Sequence, residues 1–160
     1  MGIIGSWEGY TTSPLYLFNN GIWNGLQIIG VVKTAEQNMG NGKTFIKIST
    51  TNQGKTVIDL SASTAQYWVL GRLNQSINLS TYNFIRLKIN AHNFDRNYPS
   101  YGILGISDNP NLTSTSFTAQ IRFFESDVLL DISSVTGNYY IYFYTYTSFH
   151  QIVQLYLTGA

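Results

Sequence analysis

Phe84-Ile85-Arg86-Leu87-Lys88-Ile89-Asn90-Ala91 decides the fold class. Ile85, Leu87, Ile89 and Ala91 alternate with Arg86, Lys88 and Asn90. A period of two puts these sets on opposite faces of a sheet, one apolar and one polar. The same pattern runs through Thr44–Ser49, where Ile46 and Ile48 oppose Phe45 and Lys47. It recurs over Phe117–Phe124, where Phe117, Ala119, Ile121 and Phe123 share a side. Helical spacing is not sustained over eleven residues anywhere.

Working outward, further strands are expected at Leu15–Phe18, Leu26–Lys33, Thr56–Leu60, Gln66–Leu73, Tyr101–Ser107, Val128–Ile132, Tyr139–Thr147 and Ile152–Leu157. These are rich in Ile, Val, Tyr, Phe and Thr, which suit a pleated surface. Turn clusters separate them: Asn19-Asn20-Gly21, Met39-Gly40-Asn41-Gly42, Asn52-Gln53-Gly54-Lys55, Ser107–Asn111 and Thr136-Gly137-Asn138. Asn and Gly tolerate positive φ, and Pro110 pre-sets a turn. Ten or eleven short strands predict an all-β chain, an antiparallel β-sandwich of the jelly-roll type, with a closed up-and-down barrel as the runner-up. The expected core is Ile46, Ile48, Ile85, Leu87, Ile89, Ile121, Phe123, Ile141 and Phe143.

The 160 residues suit one domain, read here as 14–160. Residues 1–13 break the alternation, with Ile3, Ile4 and Trp7 among glycines. They read either as a first strand or strap across the sandwich, or as an arm that docks on a partner subunit through those three side chains.

Only 11% of residues are charged, and the net charge is +1. A nucleic-acid binder driven by a basic field is excluded. Polarity comes instead from 16 Thr, 15 Ser and 15 Asn. There is no cysteine, so no disulfide or thiolate metal site is expected. No apolar run is long enough for a membrane span, and the first residues lack the pattern of a signal peptide.

Candidate chemistry is sparse. A glycosidase needs two carboxylates flanking a sugar. Glu125 and Asp127 stand nearest to that, and a solvated hairpin end explains them better. His92, at a strand end, and His150, in a link before the last strand, have no nucleophile at triad spacing. Gly40-Asn41-Gly42-Lys43-Thr44 lacks the first glycine of a phosphate loop. Asp108-Asn109-Pro110-Asn111 offers oxygens of the kind Ca²⁺ takes, but with one carboxylate, and turn chemistry accounts for it. No cofactor, no metal site and no enzymatic activity are expected.

The strongest signal is aromatic, at Tyr139-Tyr140-Ile141-Tyr142-Phe143-Tyr144-Thr145-Tyr146. Tyr140, Tyr142, Tyr144 and Tyr146 share one face, while Tyr139, Ile141 and Phe143 share the other. A Tyr ring offers an apolar face to sugar C–H groups and its hydroxyl makes hydrogen bonds. The ladder is a glycan-binding surface, a subunit interface, or packing under a covering segment.

Leu129–Ile141, with its Asp131-Ile132-Ser133-Ser134-Val135-Thr136-Gly137-Asn138 turn, resembles the last third of jelly-roll, carbohydrate-binding-like modules in virion proteins of tailed phages and prophages from low-GC Gram-positive gut bacteria. Ile77–Leu87, through Leu79-Ser80-Thr81-Tyr82, resembles their middle element, and Leu15–Gly21 their opening strand. The resemblance covers residues 14–158. It implies a non-enzymatic surface module of a tail fibre, baseplate or capsid that aids attachment to a host-surface glycan. It further implies virion subunits as partners, a homo-oligomer in the particle, no membrane insertion, and synthesis in the host cytoplasm. The rival expectation is a carbohydrate-binding module serving a secreted glycan-active enzyme.

Overall fold

A computed structural model describes residues 14–23, 30–37, 43–51, 53–62, 66–94, 100–124 and 127–159. The expected arm, with Ile3, Ile4 and Trp7, lies outside the described residues, as does Glu125.

The described residues form thirteen strands: β1 (Leu15–Asn19), β2 (Ile22–Trp23), β3 (Val31–Glu36), β4 (Thr44–Thr50), β5 (Thr56–Ala62), β6 (Trp68–Leu73), β7 (Ile77–Asn78), β8 (Phe84–Phe94), β9 (Tyr101–Ser107), β10 (Ala119–Phe123), β11 (Val128–Asp131), β12 (Asn138–Tyr146) and β13 (Ser148–Thr158). The two strands that the alternation does not predict, β2 and β7, are two residues long. A period cannot show over so short a span.

All pairings are antiparallel and form two sheets. The first runs β11-β8-β13 and then divides. The first half of β13 pairs with β5, which carries β4, and the second half pairs with β1, which carries β2. The second sheet runs β10-β9-β12-β6-β3, with β7 beside the start of β12. The chain passes repeatedly from one sheet to the other, so neither closes on itself, and the architecture is the jelly-roll sandwich anticipated above rather than the barrel.

The register of β13 shifts between Gln151 and Gln154, where its neighbour changes from β5 to β1. The carbonyl of Val153, at that irregularity, accepts the Asn20 N–H at 2.8 Å. Such a bulge bends the strand locally. Asn20 (φ +48°) and Gly21 (φ +91°) form the two-residue turn from β1 to β2. Positive φ at both central residues is the turn that matches strand twist, which is why Asn-Gly stands there.

One apolar core lies between the sheets and includes Leu17, Phe18, Ile58, Leu60, Ile85, Leu87, Leu104, Phe123, Ile141, Phe143, Ile152 and Leu155. Ile46 and Ile89 pack against it half-buried. Ile48 and Ile121 correct the expected core, being 39% and 37% exposed. Their alternation is right, but β4 and β10 are the outer strands of their sheets. An inward-pointing residue on an edge strand has no neighbouring strand on one side to cover it. His150 also departs from expectation. It lies inside β13 and is fully buried, with Nε2 3.1 Å from Ser148 Oγ and its ring edge-on to Phe123 at 4.8 Å. His92, expected at a strand end, lies within β8 and is the cross-strand partner of His150.

Candidate functional site

The four tyrosines of β12 do share the outer face of the second sheet, but a covering segment divides them. Residues 108–118, which link β9 to β10, fold back over the middle of the sheet. Leu112 from this link packs with Leu70 and Tyr142, and Phe117 stands 5.7 Å from the Tyr142 ring. Tyr142 is thereby fully buried. Its hydroxyl donates to the Asn109 carbonyl at 2.6 Å and accepts the Leu112 N–H at 3.2 Å. Burial pushes its ionisation upward. Arg72, one strand away on β6, donates from Nε to the Pro110 carbonyl at 2.7 Å and stacks over Tyr140 at 4.6 Å.

Gly105 makes the cover possible. It faces Tyr142 across the β9–β12 ladder, and a Cβ on it would lie 2.4 Å from the Phe117 ring. Part of the Asp108–Asn111 turn is engaged in the same device. Asn109 uses its carbonyl on Tyr142 and its Oδ1 on the Asn111 N–H, and Pro110 uses its carbonyl on Arg72.

Beyond the cover, the same face carries a cluster of aromatic rings. Tyr144 lies 5.8 Å from Trp68 on β6 and 6.1 Å from Tyr101 on β9. Tyr101 lies 5.5 Å from Tyr146. Cross-strand register sets this arrangement, since Tyr146 pairs with Trp68 on one side and Tyr101 on the other. Arg122 of β10 lays its exposed guanidinium 3.7 Å over the Tyr101 ring, and Phe124, two residues on, is 52% exposed. Trp68, Tyr101, Tyr144 and Tyr146 are half-buried, leaving part of each ring at the surface. Burial and the adjoining Tyr101 and Tyr146 hydroxyls push the Tyr144 ionisation well above the ordinary tyrosine range, against the pull of Arg122.

Two non-glycine residues with positive φ hold one end of this platform. Gln66 (φ +65°) precedes β6 and Thr147 (φ +52°) follows β12. The Gln66 N–H donates to Thr147 Oγ1 and the Thr147 N–H to the Tyr67 carbonyl, both at 2.9 Å. A β-branched residue in that region is strained, and the paired hydrogen bonds offset the cost. The clamp fixes the strand ends that bear Trp68 and Tyr146.

Sequence reading therefore finds Tyr144 and Tyr146 but not Trp68, Tyr101 or Arg122. Each stands on an expected strand, and only the pairing register brings them together. Asp127 is exposed at the start of β11. Among the described residues, no group of three His, Cys, Asp or Glu gathers as metal ligands do.

No family model matches the chain, and no curated protein matches it. Among solved structures, it is similar to a low-affinity xylan-binding module, CBM86, from the xylanolytic gut symbiont Roseburia intestinalis. The TM-score is 0.46 and the identity 11%, over 79% of this chain and 92% of that one.

Proposed function

We propose that the chain is a non-catalytic glycan-binding module whose ligand lies across Trp68, Tyr101, Tyr144 and Tyr146. The observation that carries this is the cluster of partly exposed rings, linked at 5.5–6.1 Å, on one face of a sheet. Aromatic faces on a sheet suit the C–H faces of consecutive sugars, while tyrosine hydroxyls and the Arg122 guanidinium supply hydrogen bonds to sugar oxygens. The strands β6, β9, β10 and β12, which build the platform, contain no Asp or Glu. Glycoside hydrolysis by paired carboxylates has no groups to use on them.

Two settings fit such a module equally. On a phage particle it would hold the virion against a host-surface glycan, with residues 1–13 docking it on a neighbouring subunit in a homo-oligomer. On a secreted glycan-active enzyme it would keep a catalytic domain near its substrate.

Affinity electrophoresis through gels containing soluble xylan, glucomannan, mixed-linkage glucan or bacterial cell-wall polysaccharide tests the reading. Retardation by at least one polymer supports it. Unretarded migration in all of them contradicts it.

A further inference from the structure

The opposite face of the molecule carries a second candidate site, unrelated to the aromatic platform. Where β13 changes partner from β5 to β1, the two neighbours part and leave a depression of about 220 Å³. Asn19, Asn20, Lys55, Lys88, Val153 and Gln154 line it.

Its hydrogen-bonding inventory is lopsided. Asn20 Oδ1 is taken by the Thr56 N–H at 3.0 Å. A backbone donor fixes that orientation, so the Asn20 amide group presents N–H. Asn19 Oδ1 is taken by Gln154 Nε2 at 3.1 Å. The Asn19 N–H donors are left, against one remaining acceptor, Gln154 Oε1. Lys55 and Lys88 add two exposed ammonium groups, and among the described residues neither is ion-paired. Among the described residues, no carboxylate lines the depression. Two like charges and a surplus of donors around one hollow are relieved by an anion that accepts several hydrogen bonds.

A sugar-sized apolar support stands beside it. Tyr16 and Tyr156 stack at 5.0 Å on the same sheet face, and Tyr156 lies two residues from Gln154 on β13, about 6.6–6.8 Å along a strand. We propose that this depression binds the carboxylate of a uronic-acid residue, whose ring rests on the Tyr16–Tyr156 pair, within an acidic polysaccharide.

Calorimetric titration of the whole chain with trigalacturonate at low ionic strength tests it, beside two other probes: the methyl-esterified trimer and sodium sulfate. The expected result is binding that falls at least tenfold on esterification, at least fivefold in K88Q or K55Q, and further with added salt. Trp68→Ala, on the other face, is expected to leave it unchanged, which separates this site from the platform. Equal affinity for the esterified trimer, or none lost in either lysine variant, overturns the proposal. Sulfate binding as tight as trigalacturonate overturns the sugar as its source. Loss of trigalacturonate binding in Trp68→Ala overturns the location.

Discussion

The Tyr142 hydroxyl donates to the Asn109 carbonyl across 2.6 Å and ties the 108–118 cover to the centre of β12. Leu112 and Phe117 of the same cover bury Tyr142, while Tyr144 and Tyr146 stay partly exposed.

Tyr142→Phe keeps the ring packing but leaves the buried Leu112 N–H and the Asn109 carbonyl without their partner. The expected cost is about 1–3 kcal/mol. Denaturant unfolding measures the total. Hydrogen exchange should show the loss of protection centred on residues 109–118, with β8 and β13 little changed.

Gly105→Ala places a methyl group against the Phe117 ring, at 2.4 Å in the unshifted geometry. The cover must lift or the ring must rotate out. Overpacking of this kind costs roughly 1–3 kcal/mol. A gain in proteolytic nicking between residues 108 and 118 is the accompanying sign. Unchanged stability and unchanged nicking would mean that Phe117 does not seat over Gly105.

Thr147→Val removes the acceptor of the Gln66 N–H while keeping the shape of the side chain. The clamp should loosen at the Trp68–Tyr146 end. Melting temperature should fall by several degrees, and affinity for a retarding polysaccharide should fall with it. Thr147→Ser keeps the hydroxyl and is expected to retain both.

Asp59 gives the pH dependence a definite sign. Burial raises its carboxyl above the ordinary range, against the opposing effects of Ser49 and Lys47. The folded state therefore holds the proton more tightly than the unfolded chain. Stability from this group is present below the ordinary carboxylate pKa and is lost as pH rises through the raised value. Asp59→Asn should raise the melting temperature at pH 7, by an amount that shrinks as pH falls through the raised value and is gone below about pH 4. Asp131 runs the other way. Hydrogen bonds from the Ser133 hydroxyl and N–H hold its carboxyl low, so its contribution is lost as pH falls through that lowered value.

Leu87→Ala truncates a side chain that is 1% exposed in the middle of the core. A loss of about 2–5 kcal/mol is expected in denaturant unfolding, as for other buried leucines. A loss below 1 kcal/mol would mean that the site collapses around the smaller residue.

Much of the sandwich is legible along the chain, because one buried face per strand leaves a period of two. Leu87 and Phe143 could be assigned to the core on that ground alone. Ile48 and Ile121 show its limit, since alternation tells which way a residue points and not whether anything lies opposite. The ladder shows a second limit. Tyr142 and Tyr144 are equivalent in local sequence, yet one is interior. The difference is made by Leu112, which lies outside every expected element, and by Phe117, which is expected on a strand beside Ala119 and Ile121 and instead covers Tyr142. The platform was partly hidden for a third reason: Trp68, Tyr101 and Tyr146 come from three separate strands. Their neighbourhood follows from register, which alternation within a single strand does not specify.

Glycan on the open half of the β12 face is the proposal on which the function rests. Its most direct test follows backbone amides and the Trp68 indole N–H by NMR, while an oligosaccharide from the retarding polymer is added. Saturable shifts are expected at Trp68, Tyr101, Arg122, Tyr144 and Tyr146. An affinity at least tenfold weaker, about 1.4 kcal/mol, is expected in Trp68→Ala, with an unchanged melting temperature. Shifts confined to other surfaces, or an undiminished affinity in the Trp68→Ala protein, would contradict it.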